Sequence, residues 1–153
     1  MDKMDRKILT ELQNNGRASL QEISQAVGLS STPCWTRMKR MEEEGVIERY
    51  TVSLNAGALG FGDTVLVQVT LDSHSDNTLE KFGEILASIP EVIEAYLVSG
   101  EYDYLLRVAV KDTKDYERLL REKLYKIKGI RHSKSSFVLR TLKKADLPLL
   151  LNQ

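Results

Sequence analysis

Between Ser30 and Met41 the chain carries Thr32, Thr36, Arg37, Lys39 and Arg40 and not one acidic residue, while Glu42, Glu43 and Glu44 crowd the far end. Cations and hydroxyls gathered over three helical turns suit a polyanion. Arg can take guanine O6 and N7 together, and Lys and hydroxyl groups reach phosphates or base edges. A solvated helix face with ordinary Lys and Arg has the same composition, so the reading depends on what positions the run. Little else in the chain has the spacing of a reaction centre. His74 and His132 are far apart, no Cys/His cluster has metal-ligand spacing, and no nucleophile–His–acid grouping or Gly-rich phosphate loop occurs. No catalytic residue, metal or cofactor is expected, and the chain is not read as an enzyme.

The elements around the run form a helix-turn-helix. Ser19 and Glu22 have the spacing of a capping box, in which each side chain satisfies a backbone N–H left over at a helix start. Leu20, Ile23 and Val27 then repeat at helical spacing, and Gly28 supplies the freedom for a sharp turn. Thr32-Pro33 restarts a helix, with proline expected at the first helical position. Along it Cys34, Met38 and Met41 fall at i, i+4 and i+7, a stripe that must pack on neighbouring helices. The set expected to face DNA is Ser19, Ser30, Ser31, Thr32, Thr36, Arg37, Lys39 and Arg40, with Arg37 reading a base edge. Trp35 beside the basic face could contact DNA, but an aromatic near a helix start more often packs against a neighbouring helix or a wing. An earlier helix starts at Asp2 and Asp5, carries Met4, Ile8, Leu9 and Leu12, and ends at Asn14-Asn15-Gly16. After Gly45 the β-branched stretch 46–53 predicts a short strand.

Composition restricts the alternatives. The 153 residues are 42% hydrophobic and carry zero formal charge, with 22 basic and 22 acidic side chains. No net charge helps a nonselective nucleic-acid binder, so affinity must come from local patterning and from doubling by symmetry. The single cysteine, Cys34, excludes an internal disulfide framework, fits a reducing compartment and reads as a packing residue. No signal peptide or membrane-length apolar run is visible, so the chain is expected to be cytoplasmic with no membrane partner.

Residues 54–62 bring three glycines and read as a hinge between a domain at 1–53 and another at 63–153. The second domain changes rhythm. Thr64 to Leu71 alternates, Leu79, Phe82, Ile85, Leu86 and Ile89 repeat helically after Asn77, and Val92–Ser99 and Tyr104–Val110 flank the turn Gly100-Glu101-Tyr102-Asp103. Asp112 caps a helix ending at Gly129, and 131–142 supply a last strand around Phe137 to Leu139. The fold class is α+β, a winged-helix-like helix-turn-helix followed by a ferredoxin-like βαββαβ module. Its helices leave one sheet face open, and Tyr96, Val98 and Leu106 are expected there, covered by a second copy. The run 147–151 reads as an arm for a partner subunit.

This combination resembles the Lrp/AsnC family of transcription regulators over nearly the whole chain. The resemblance is carried by Asp5-Arg6-Lys7-Ile8-Leu9, Gly28-Leu29-Ser30 with Thr32-Pro33-Cys34-Trp35-Thr36-Arg37, Gly45-Val46-Ile47, and Val98 through Leu106. It implies a RAM/ACT-like second module that dimerises through its sheet, dimers that often close into octamers, and small amino acids bound between dimers. On that basis Gly100, Tyr102 and Asp103 are candidate effector residues. The Gly100 turn would let a carboxylate approach backbone N–H groups, and Asp103 would accept from an ammonium. Ser133, Ser135 and Ser136 would add hydroxyls if their strand lies nearby in a neighbouring subunit. Plain hairpin chemistry remains open for Gly100 and Asp103. The reading is a sequence-specific, ligand-responsive regulator of double-stranded DNA. Two alternatives stand beside it, an effector-independent architectural DNA binder and an amino-acid-sensing subunit of a metabolic enzyme.

Overall fold

The structure is a computed structural model that describes residues 1–73 and 76–144, with the backbone alone over 76–78. His74 and the 147–151 run lie outside the described residues. Two compact units are present, one over Met1–Leu54 with Lys143 and Lys144, the other over Asn55–Leu142.

The first unit is three helices, α1 (Lys3–Asn14), α2 (Leu20–Val27) and α3 (Ser31–Glu43). The capping box expected at Ser19 and Glu22 forms, and Asp2 and Asp5 make a second one. Asp2 Oδ1 accepts from the Met4 and Asp5 amides while Asp5 Oδ2 accepts from the Asp2 amide, and Ser19 and Glu22 exchange the same pair of bonds. Gly28 closes α2 at φ 75, a left-handed conformation that costs glycine least. Two expectations need correction. Ser30, in extended conformation, is the cap of α3, so Pro33 is its third residue rather than its first. The position still lies in the first turn, where no intrahelical N–H bond is lost. The stretch 46–53 forms no strand, because β-branched content favours extension but this unit offers no neighbouring strand to pair with. The core joins Ile8, Ile23, Val27, Cys34 and Met41. Burial pushes the Cys34 thiol up, consistent with a packing role.

The second unit is β1 (Asp63–Leu71), α4 (Asp76–Ala87), β2 (Val92–Leu97), β3 (Tyr104–Val110), α5 (Thr113–Glu122) and β4 (Ile130–Phe137). The strands pair antiparallel in the order β2-β3-β1-β4. A short 3-10 turn, Gly57–Leu59, precedes them. Alternation makes two faces. Val65, Val67, Val69 and Leu71 of β1 and Tyr104, Leu106, Val108 and Val110 of β3 are buried with Phe82, Leu86, Tyr116 and Leu119 of the helices. The other face carries Leu66, Leu105, Arg107, Glu94 and Tyr96, and the Arg107 guanidinium is paired with the Glu94 carboxylate by two hydrogen bonds. Leu106 therefore belongs to the core, not to the open face. The register sets Tyr96 opposite Leu105 and leaves Leu106 on the helix side.

Candidate nucleic-acid interface and effector turn

The faces of α3 are sorted by what each residue touches. Cys34 and Met41 are buried and Met38 half-buried. One flank of that stripe faces α1, and there the arginines are held. Arg37 Nη1 lies 2.6 Å from Asp2 Oδ2 and 2.8 Å from Asp5 Oδ1, and Arg40 Nη2 lies 2.6 Å from Asp5 Oδ2. Arg40 Nε is also 3.7 Å from Glu44. The Asp5 side chain is 1% exposed, so one buried carboxylate sits between two guanidinium groups and its own helix cap. Charge-assisted geometry of this kind fixes α3 against α1. Arg37 and Arg40 thus share an internal ion cluster with Asp2 and Asp5, and within this chain Arg37 acts as a strut between α1 and α3. The sequence carried a trace of this. Asp5 stands three residues before Ile8 and four before Leu9, an acid on an apolar stripe.

Exposed on the first three turns of α3 are Ser31, Thr32, Pro33, Trp35, Thr36, Lys39 and Arg40, the last still tied to Asp5. Trp35 is 51% exposed and not packed against a wing as expected. Lys39 Nζ lies 5.2 Å from the centre of its ring and 3.8 Å from Glu43 Oε1. The Thr36 hydroxyl donates to the Thr32 carbonyl at 3.0 Å. No acid stands in the first turn, so the positive end of the helix dipole is uncompensated there. Ser30 caps α3 by backbone geometry without a side-chain hydrogen bond, whereas the Ser19 hydroxyl is engaged with Glu22.

The ion cluster has a pH consequence. A hydrogen bond from Arg37, helped by the Asp5 amide, holds the Asp2 carboxyl at about 2, below its ordinary 3.8. For Asp5, burial alone would raise the value, but the Asp2 amide and the Arg37 guanidinium outweigh it and the net direction is down. Groups depressed in the folded state contribute stability above their unfolded value, and that contribution disappears as pH falls through the folded one. Carboxyl-carbon NMR should therefore show Asp2 titrating near pH 2, with α1 and α3 loosening between pH 4 and 2. A midpoint at 3.8 for Asp2 would mean the cluster does not persist in solution.

The six effector candidates are not gathered in one chain. Gly100 sits at φ 127 in a turn closed by the Val98 amide bonding to the Asp103 carbonyl at 2.9 Å. Asp103 Oδ2 accepts from the Leu71 amide at 2.7 Å, strapping the end of β1 to the start of β3. Tyr102 is half-buried in the same turn. Ser133 pairs with Val69, which pairs with Tyr104, so two strand spacings, roughly 9.6 Å, separate β4 from β3. Ser135 points to the helix side, its hydroxyl 2.6 Å from that of Tyr116, and Ser136 faces the open side opposite Leu66. Among the described residues no group of three His, Cys, Asp or Glu side chains gathers in a way that could hold a metal.

The two units match separate family models. Residues 1–48 match a winged helix-turn-helix DNA-binding domain, and residues 64–148 match the Lrp/AsnC ligand binding domain. The chain belongs to the Lrp/AsnC family. The leucine-responsive regulatory proteins of Klebsiella pneumoniae and Escherichia coli K12 are each 38% identical over 146 residues, covering 95% of this chain and 89% of theirs. An AsnC family transcriptional regulator from Agrobacterium tumefaciens superimposes with a TM-score of 0.92 at 41% identity, covering 97% of both chains. A Neisseria meningitidis transcriptional regulator solved in complex with L-Met gives 0.92 at 32% identity, covering 98% of this chain and 97% of that one. As an Lrp/AsnC member this chain is a DNA-binding transcriptional regulator with a ligand-binding domain, and the relatives named are regulators rather than enzymes. No helix among the described residues is long and apolar enough to cross a membrane.

Proposed function

We propose that this Lrp/AsnC regulator binds duplex DNA sequence-selectively in the cytoplasm, as a dimer or a multiple of dimers, and that a small amino acid adjusts its assembly or DNA affinity. The outward, acid-free face of α3 carries the reading. Within it Thr32, Thr36 and Lys39 are the base and phosphate contacts, Ser30 and Ser31 approach the backbone at the helix start, and Ser19 does so from α2. Arg37 and Arg40, tied to Asp2 and Asp5, flank that face and keep 30% and 45% side-chain exposure, so DNA contacts are assigned to them as well. The working division is a DNA-binding domain at 1–53, a hinge at 54–62 and an effector and assembly domain at 63–153.

Dimerisation through the open sheet face would bring two α3 helices to one duplex, with half-sites about 10 bp or a multiple of this apart. It would also supply from a second copy what the Gly100 turn lacks in one chain. An amino acid is favoured as effector by the relative solved with L-Met. The turn offers backbone N–H groups at Gly100, and Asp103 offers a carboxylate to an ammonium. No catalytic step is assigned.

Fluorescence anisotropy on selected and random duplexes tests the DNA assignment. A dimer making about six phosphate contacts should lose about a thousandfold in affinity between 50 and 200 mM salt. Binding insensitive to salt and sequence would overturn it. Thermal melts with each amino acid test the effector, since a ligand that binds the folded state raises the melting temperature. Asp103→Asn keeps an acceptor for the Leu71 amide while removing the charge, so the fold should survive and the ligand shift should vanish. A full shift in the variant would exclude Asp103 as the acceptor.

A further inference from the structure

With the core stripe and the arginine cluster accounted for, α3 presents a second stripe at i, i+3, i+4 and i+7. It consists of Thr32, Trp35, Thr36 and Lys39, all exposed. Trp35 is its bulk and the only tryptophan in the chain. A large aromatic left half in water on a charged helix face marks a surface that a partner covers. Charge complementarity selects the partner. The Lys39 ammonium stands over the ring, and no carboxylate occurs on the helix before Glu42. The occupant is therefore a polyanion that also offers an apolar group, and in the major groove that group is the C5-methyl of thymine. Guanine would call for an arginine fork, but both arginines of α3 are bound to Asp2 and Asp5.

We infer that Trp35 is a specificity-determining residue whose indole packs on thymine methyl groups in the major groove, so that the stripe selects T·A pairs at that position. The inference rests on the DNA-binding reading above. Lys39 exchanges its place over the ring for a phosphate, and the exposed indole becomes the dry centre of the contact.

The test uses the full chain and duplexes recovered by it from a random library. In each recovered duplex, single thymines are replaced by deoxyuridine, which pairs identically but lacks the methyl. Burying one methyl is worth ~0.8 kcal/mol, about fourfold in affinity. Wild type should lose about fourfold at one or two thymines per half-site, and Trp35→Ala should bind the parent duplex more weakly and be indifferent to the same exchange. Trp35→Leu, which keeps apolar bulk, should retain part of the penalty and guards against a folding defect in the alanine variant. If wild type and Trp35→Ala show the same deoxyuridine penalty, or wild type shows none at any thymine, the inference is overturned while the DNA-binding reading stands. If wild type recovers no duplex, the DNA-binding reading falls and the inference with it.

Discussion

Replacing Asp5 with asparagine should loosen the N-terminal helical unit by about 3 kcal/mol and leave the sheet untouched. Asparagine has nearly the same shape, so the change isolates charge. It leaves two guanidinium groups facing a neutral amide whose NH2 cannot accept from Arg37 or Arg40. Removing one partner of a buried pair costs about 3–5 kcal/mol, and the lower end applies because the Arg37 and Arg40 side chains keep 30% and 45% of their exposure. Amide hydrogen exchange is the direct measurement. Protection in α1 and α3 should fall by about two orders of magnitude, with β1 and β3 unchanged. Unchanged protection in α1 and α3 would show that the cluster contributes nothing to docking the helices.

Leu106→Ala and Leu66→Lys should separate stability from assembly. Leu106 is fully buried against the helices, and truncating such a leucine costs about 3 kcal/mol, partly for the transfer of its methyl groups and partly for the cavity they leave. The urea midpoint should drop and the oligomeric state of the remaining folded protein should not change. Leu66 lies on the opposite face, between Arg107 and Ser136 in the register, and is 37% exposed. A lysine there should leave the urea midpoint nearly in place and weaken self-association in sedimentation velocity, because it puts charge into the surface proposed to be covered. If Leu66→Lys associates like wild type, the open face is not the dimer surface.

The sequence carried most clearly those features whose cause is local. Two capping boxes, the Gly28 stop and the alternation of β1 each act within a few residues, and each appears where its spacing places it. The strand expected at 46–53 failed because propensity names a conformation but not a partner. Leu106 lies on the helix side rather than the open face because alternation defines two faces without saying which one meets the helices, and only the cross-strand register with Tyr96 and Leu105 decides. The ion pairs of Arg37 and Arg40 are not legible in the sequence for a related reason. Their partners are 32 to 35 residues away on α1, a distance across which helical periodicity carries no information. Trp35 is left exposed although an aromatic near a helix start more often packs. Ser133, Ser135 and Ser136 are close in sequence yet divided between the two faces of one strand.

The two carboxylates that start α1 are also the ones that hold α3, so the recognition helix is built as a replaceable front on a fixed mount. Grafting α3 whole from another regulator would carry away Arg37 and Arg40 and leave Asp2 and Asp5 with nothing to grip. Exchanging only positions 32, 35, 36 and 39 would leave the mount intact. On the DNA-binding reading proposed above, retargeting to a new operator would start from those four side chains.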